Sequence, residues 1–303
     1  MESKFMNKTS LLAFFLVIIF IWSATNNNLL LGQTIPIPVA EMKKAHVGDI
    51  DIAYKMFGKG DPIILINGYS APLEFWESNF LNKLASNHTV IVFDNRGIGN
   101  TTSGNKNFTI SQFANDTSGL MDALKIKKAD VMGWSMGSFI AQELTLAHPE
   151  KVGKLILYGS SCGGSESKPP KPEVAKIFGN MSINGMEKLQ KLEPFLFSKE
   201  WRVQNPNYLQ SLPRVTEIIP NETLIEQEKA IFNWKGDCGQ ISSINKPTLV
   251  IVGTQDAFTV PENSLIMTEK IPAAWLIQIR GGHAMMFEQP EVFSNLILTF
   301  LKS

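Results

Sequence analysis

Ser135 sits in the stretch VMGWSMGSF (131–139), with Gly133 two residues before it and Gly137 two after. Glycine is a poor residue for the interior of a strand or helix, so two of them around one serine mark a place where backbone geometry matters. An apolar strand pattern over 129–134 runs here into a helical pattern over 137–148. A residue in so sharp a turn is pushed toward strained backbone angles, with its side chain thrust outward. The helix that follows aims its first amides at the same spot and favours negative charge there. These features fit a nucleophile. A glycine-lined turn that merely packs a strand against a helix has the same outline.

A serine hydroxyl is a weak nucleophile without a base. The chain has four histidines, His46, His88, His148 and His283. His46 precedes the first strand and His88 opens one. His148, in LAHPE, ends a helix, where a cation suits the dipole. His283 follows the carboxyl end of a strand, after AWLIQIRGG, and its diglycine permits a tight turn. An imidazole acting as base needs a carboxylate to orient it. Asp256, in VGTQDAFTVP just past strand 247–253, is in place for that role, and Glu288 in the last loop is the substitute. A tetrahedral intermediate also needs N–H donors for its oxygen. The Met136 amide, one residue past the serine, is one. The other is expected from the loop NGYSAP (67–72), where Gly68 lets the backbone pass close and Tyr69 offers its N–H. The set Ser135, His283, Asp256, Tyr69 and Met136 would perform acyl transfer: the serine takes the acyl group, and water releases it.

The elements that must hold these residues follow from hydrophobic periodicity. Segment 49–57 alternates like a half-buried strand, while 63–66, 89–94, 129–134, 154–160, 247–253 and 274–279 are short continuous apolar runs. Such runs suit strands buried on both faces of a parallel sheet. Helical patterns fall between them, at about 75–86, 110–124, 137–148, 261–270 and 290–302. The alternation predicts an α/β fold with a mostly parallel sheet covered by helices on both sides. Residues 163–240 break the pattern. They open with GGSESKPPKP and continue with helical stretches near 184–193, 198–212 and 222–233. We read them as a helical cap inserted between two strands, with 44–162 and 241–303 forming the core. Ligands of open parallel sheets bind beyond the carboxyl ends of the strands, so a cap there would roof the site. Phe178, Met181, Phe195, Phe197 and Trp201 fit either an apolar pocket wall or the interior of the cap itself.

Composition narrows the partners. The 303 residues carry 28 basic and 28 acidic side chains, with 44% hydrophobic residues, a globular balance that advertises no nucleic-acid partner. No H-E-x-x-H or C-x-x-C motif and no glycine-rich dinucleotide fingerprint appears, so neither a metal nor another cofactor is expected. The N-terminus differs. Lys4 and Lys8 precede LLAFFLVIIFIWSA (11–24), which reads as a signal peptide or N-terminal membrane anchor over 1–24, followed by a linker over 25–43. The body is therefore expected outside the cytoplasmic membrane, secreted or tethered. Sequons begin at Asn7, Asn87, Asn100, Asn107, Asn115, Asn180 and Asn221; all but Asn7, which precedes the apolar run and would lie on its other side, agree with that placement. Cys162 and Cys238 fit one disulfide and fit two buried thiols equally well.

Five segments in order, NGY after strand 63–66, DNRGIGNT (94–101), GWSMGS, PTLVIVGTQD and GGHAMMFEQPEVFSNLILTFL, resemble the alpha/beta-hydrolase superfamily over residues 44–302. The likeness is to its capped, serine-nucleophile members: carboxylesterases, enol-lactonases, cofactor-free haloperoxidases and proline iminopeptidases. It implies an eight-stranded, mostly parallel sheet with the cap inserted after strand 6. It also implies the order nucleophile, acid, histidine, which Ser135, Asp256 and His283 follow. Asp94, Arg96, Gly97 and Gly99 are structural in such proteins. One departure is Asn67, where the family usually has histidine before the loop glycine. Asn67 can bond within its loop or meet the substrate.

The function expected is that of a serine hydrolase cleaving a small or medium carboxylic ester or lactone. Perhydrolysis, with peroxide replacing water, would use the same residues. A peptidase acting on N-terminal proline would need an acidic anchor, for which Glu193, Glu200 and Glu226 are available. A non-catalytic binding protein on this scaffold would not need all three triad positions filled, as they are here.

Overall fold

Aliphatic runs bounded by polar or glycine-containing turns become strands in the computed structural model, which describes residues 40–180, 182–215, 219–236 and 238–303. The strands are β1 (Lys43–Val47), β2 (Ile50–Gly58), β3 (Asp61–Ile66), β4 (His88–Phe93), β5 (Ala129–Trp134), β6 (Val152–Tyr158), β7 (Thr248–Gly253) and β8 (Ala274–Ile279). They form one eight-stranded sheet in the order β1-β2-β4-β3-β5-β6-β7-β8. β2 pairs antiparallel with both β1 and β4, and every later pairing is parallel. The carboxyl ends of β3, β5, β6, β7 and β8 therefore open on one rim, where the candidate residues lie.

Helices cover both faces: α1 (Ser78–Ala85), α2 (Ile110–Ala123) and α3 (Met136–Ala147) arise in the first half. Four more, α4 (Pro172–Phe178), α5 (Gly185–Leu192), α6 (Lys199–Gln204) and α7 (Asn221–Asn233), follow between β6 and β7. After β7 come α8 (Pro261–Lys270), the single turn α9 (Met285–Glu288) and α10 (Pro290–Lys302). The two-residue period of β3 divides the core. Ile64 and Ile66 pack with Phe113 and Leu120 of α2 and Ile140 of α3. Ile63 and Leu65 pack with Phe80 of α1 and Ile297 and Phe300 of α10.

Three differences from the sequence reading have local causes. β1 went unread because KKAHV presents lysines and an exposed pattern, the usual dress of an edge strand. The helix expected over 198–212 stops at Gln204, since Pro206 follows and disfavours helical angles in the residue before it. α4 escaped notice because it is short, although Pro172 at its first turn is a start signal.

Between β6 and β7 the described residues form helices and turns, with one isolated bridge, Gly163 to Gly236. Beside that bridge Cys162 and Cys238 form a disulfide, 76 residues apart in sequence, which joins the two ends of the segment. A crosslink closing a loop of that length contributes about 4.5 kcal/mol by loop-entropy arithmetic.

The expected placement outside the membrane, secreted or anchored through 1–24, needs correction. No helix among the described residues is long and apolar enough to cross a membrane. Residues 1–24 and most of the 25–43 linker lie outside the described residues.

Candidate active site

Ser135 joins β5 to α3 with φ 55° and ψ −123°, a left-handed conformation that costs a non-glycine residue about 1–3 kcal/mol. Its N–H donates to the Tyr158 carbonyl at 2.9 Å, which ties the turn to β6. The flanking glycines are required by contact. A Cβ on Gly133 would lie 2.1 Å from the Gly137 carbonyl oxygen, and one on Gly137 would lie 2.1 Å from that of Ile66.

His283 and Asp256 meet across the loops after β8 and β7. Asp256 Oδ2 lies 2.7 Å from His283 Nδ1, and both residues are buried. A carboxylate can only accept, so it selects the tautomer with the proton on Nδ1 and leaves Nε2 free to act as base. Asp256 is itself fixed by three further donors: the N–H groups of Phe258 and Thr259 at 2.8 and 2.9 Å, and the Thr259 hydroxyl at 2.9 Å. The imidazole packs against Phe258, stacked at 4.7 Å between ring centroids, and against Trp134 at 5.6 Å. The carbonyl of His283 accepts from the Tyr158 hydroxyl at 2.7 Å and from Trp134 Nε1 at 3.1 Å.

Ser135 and His283 face the same cavity of about 550 Å³, whose wall includes Tyr69, Trp134, Phe178 and Phe258. No hydrogen bond joins the Ser135 hydroxyl to the imidazole. Catalytic contacts of this kind commonly tighten only when substrate is bound. Neither the Tyr69 N–H nor the Met136 N–H has an acceptor among the described residues. For Met136 this follows from its place in the first turn of α3, where amides lack helical partners. Ser70, the next residue of the β3 loop, has φ 62° and donates its N–H to Gln227 Oε1 of α7 at 2.9 Å. The Tyr69 hydroxyl is buried without a partner among the described residues. Burial, then the Glu228 carboxylate, hold its phenol well above the ordinary range, so it stays neutral.

The remaining candidates sort by geometry. Asn67 bonds within its loop: its Nδ2 donates to the Pro72 carbonyl at 2.7 Å. Glu288 is engaged away from His283, accepting from the Gly282 N–H at 2.7 Å, the Ser198 N–H at 3.0 Å and the Ser198 hydroxyl. It thereby clips the histidine loop to the start of α6. His46 pairs with Asp51, His88 with the Leu84 carbonyl, and His148 with Glu150. Arg96 is buried between Asp49 and Asp116. Phe178 lines the cavity, whereas Phe197 and Trp201 stack on each other at 5.2 Å and Met181 lies outside the described residues. Glu193 lines the cavity but accepts from the Tyr208 hydroxyl at 2.7 Å, and Glu226 pairs with Lys229. No group of three His, Cys, Asp or Glu among the described residues could hold a metal ion.

Gly159 and Gln227 shape the site and were missed in the sequence, and Glu288 has a different role there from the substitute carboxylate expected of it. Gly159 (φ 56°) faces the imidazole: a Cβ there would lie 3.0 Å from His283 Cε1 and 3.1 Å from Nδ1. Its position at the end of the apolar run 154–160, just past β6, was a visible signal. Gln227 and Glu288 act through contacts 157 and 90 residues distant in sequence, and no local pattern announces those.

A family model described as the alpha/beta hydrolase fold matches residues 61–187. A Rhizobium rhizogenes protein provisionally named carbamate hydrolase RutD is 30% identical over 253 residues, covering 80% of this chain and 92% of that protein. A Mycobacterium tuberculosis protein provisionally named non-heme bromoperoxidase BpoC is 29% identical over 280 residues, covering 84% and 98%. The crystal structure of the enol-lactonase from Burkholderia xenovorans LB400 superposes with a TM-score of 0.77 at 23% identity, over 86% of this chain and 100% of that one. That last likeness speaks for the fold alone. Sheet order, sequence and family model agree: the chain belongs to the alpha/beta hydrolase superfamily and is a hydrolase.

Proposed function

We propose that the chain is a serine hydrolase of small or medium carboxylic esters or lactones, working through an acyl-enzyme under a helical cap formed by residues 163–240. The observation that carries this reading is the buried Asp256–His283 hydrogen bond at 2.7 Å, on a ring that shares a cavity with Ser135. Ser135 Oγ attacks the carbonyl while His283 Nε2 takes its proton. Asp256 keeps the ring oriented and stabilises the imidazolium. The Tyr69 and Met136 amides receive the developing oxyanion. The imidazolium then protonates the leaving alkoxide. In the second half His283 deprotonates water, which displaces the acid from Ser135.

The test is Ser135→Ala against short p-nitrophenyl esters. Turnover should disappear with the fold intact, and unchanged turnover refutes the reading. Similarity to a protein named as a bromoperoxidase supports a second outcome at the same residues, with hydrogen peroxide replacing water and a peracid as product. Peroxide-dependent formation of peracetate from acetate would distinguish it.

A further inference from the structure

Ser135 borders not one cavity but two. The cavity of about 550 Å³ and a second of about 480 Å³ share Ser135, Tyr69, Phe178 and Phe258 in their walls. Beyond those four residues the linings part. His283 belongs to the first, with Leu189, Leu192, Leu196 and Ile219 supplying apolar surface. Met136 belongs to the second, with Phe139, Ala175, Ile231 and Trp234.

We propose that the site takes an acyclic ester with apolar groups on both sides of the carbonyl, the alcohol part in the first cavity and the acyl chain in the second. This rests on the serine-hydrolase reading and adds the substrate's shape to it. The assignment follows from proton transfer. When the tetrahedral intermediate collapses, the bond from carbon to the alkoxy oxygen breaks, and that oxygen receives the proton His283 took from Ser135. The departing oxygen must therefore lie within hydrogen-bond reach of the imidazole. The imidazole is in the wall of the first cavity, so the alcohol lies there. The carbon bonded to Ser135 carries its other substituent away from His283, past Met136, into the second.

Several polar side chains of the second cavity bond within the protein, and its wall also carries the exposed Lys168. The Ser167 hydroxyl donates to the Gly163 carbonyl at 2.8 Å, Asn263 bonds the Lys168 backbone at 2.7 and 2.9 Å, and the Thr259 hydroxyl bonds Asp256. An aliphatic acyl chain meets few unpaired groups there. The alcohol cavity carries the Glu193 carboxylate, which disfavours an anionic alcohol part. In a lactone, acyl and alkoxy parts are one small ring, which occupies one side of the serine and leaves the other cavity unused.

The experiment is a matrix of ethyl octanoate, octyl acetate and γ-butyrolactone, followed by pH-stat, with wild type and two filling variants. Ala175→Phe narrows the second cavity and Leu189→Trp the first, with Leu189→Phe as a milder form should the larger ring unfold α5. Ala175→Phe should lower kcat/KM for ethyl octanoate about tenfold or more, with octyl acetate within about twofold of wild type. Leu189→Trp should do the reverse. The opposite pairing overturns the assignment of sides. Equal loss on both esters, no loss on either, or a wild-type preference for the lactone overturns the two-sided substrate. Fluorophosphonate labelling of Ser135 separates the levels: labelled serine with a failed matrix sinks this inference alone, whereas unlabelled serine sinks the serine-hydrolase reading itself.

Discussion

Asp256 Oδ2 and His283 Nδ1 stand 2.7 Å apart, with the carboxylate held by three further donors and the ring packed against Phe258 and Trp134. The carboxylate therefore fixes both tautomer and orientation. Asp256→Asn keeps the shape but offers an amide that can turn a donor toward Nδ1. It should lower kcat by about 10³–10⁴-fold with little change in KM. Glu288→Gln tests the competing acid. It should cost stability, since Glu288 accepts from Gly282 and Ser198, but should leave far more activity than Asp256→Asn does.

Gly159 limits how closely the backbone can approach that ring. A methyl group there would sit 3.0 Å from His283 Cε1, and the backbone already has φ 56°. Gly159→Ala should displace the imidazole and lower kcat by about tenfold or more, since small misplacements of a catalytic group carry large rate penalties. Steady-state kinetics beside circular dichroism would check it. Wild-type kcat in a folded variant would contradict the packing argument.

Gln227 reaches from α7 to the loop that carries Tyr69. Its Oε1 accepts from the Ser70 N–H at 2.9 Å, and Ser70 is strained at φ 62°. The neighbouring Glu228 is locked by Lys188 at 2.5 Å, which steadies the middle of α7. Gln227→Leu removes the acceptor and should let the loop relax, lowering kcat about tenfold while KM changes little. Gln227→Glu retains an acceptor and should recover most of the rate. A loss of thermal stability with unchanged kcat in Gln227→Leu would mean that the contact only packs.

Asp49 gives a pH signature remote from the site. Its carboxylate accepts from both Arg96 Nη atoms at 2.9 Å and from the N–H groups of Asn105 and Lys106. These bonds, Arg96 foremost, hold its pKa far below the ordinary 3.8. A depressed folded pKa adds stability that is full above the unfolded value and is lost as pH falls toward the folded one. Asp49→Asn should therefore lower Tm by about 2–4 °C at neutral pH, and the gap should be constant above about pH 5 and narrow progressively as pH falls below about 4. A gap that keeps its full neutral-pH size down to pH 2 would contradict this.

The sheet and the candidate residues were readable because buried parallel strands announce themselves as apolar runs and the turn at Ser135 needs its glycines. β1 was not, since an edge strand of lysines and histidine has no apolar run. Nor was the helical boundary at Gln204 read, although Pro206 marks it. Asn67 and Glu288 had two readings each, and only the three-dimensional hydrogen bonds to Pro72 and to Gly282 and Ser198 choose between them. The apolar run 11–24 suggested a membrane address that the described fold does not support.

Exposure of wild type and Ser135→Ala to a fluorophosphonate, with mass mapping of the adduct, bears on the nucleophile itself. Wild type should carry one adduct, on Ser135, and lose ester turnover in step with labelling, while Ser135→Ala should take no adduct and turn over nothing. Ester turnover by Ser135→Ala at the wild-type rate, or an adduct mapping to another serine with activity lost in parallel, would contradict the assignment.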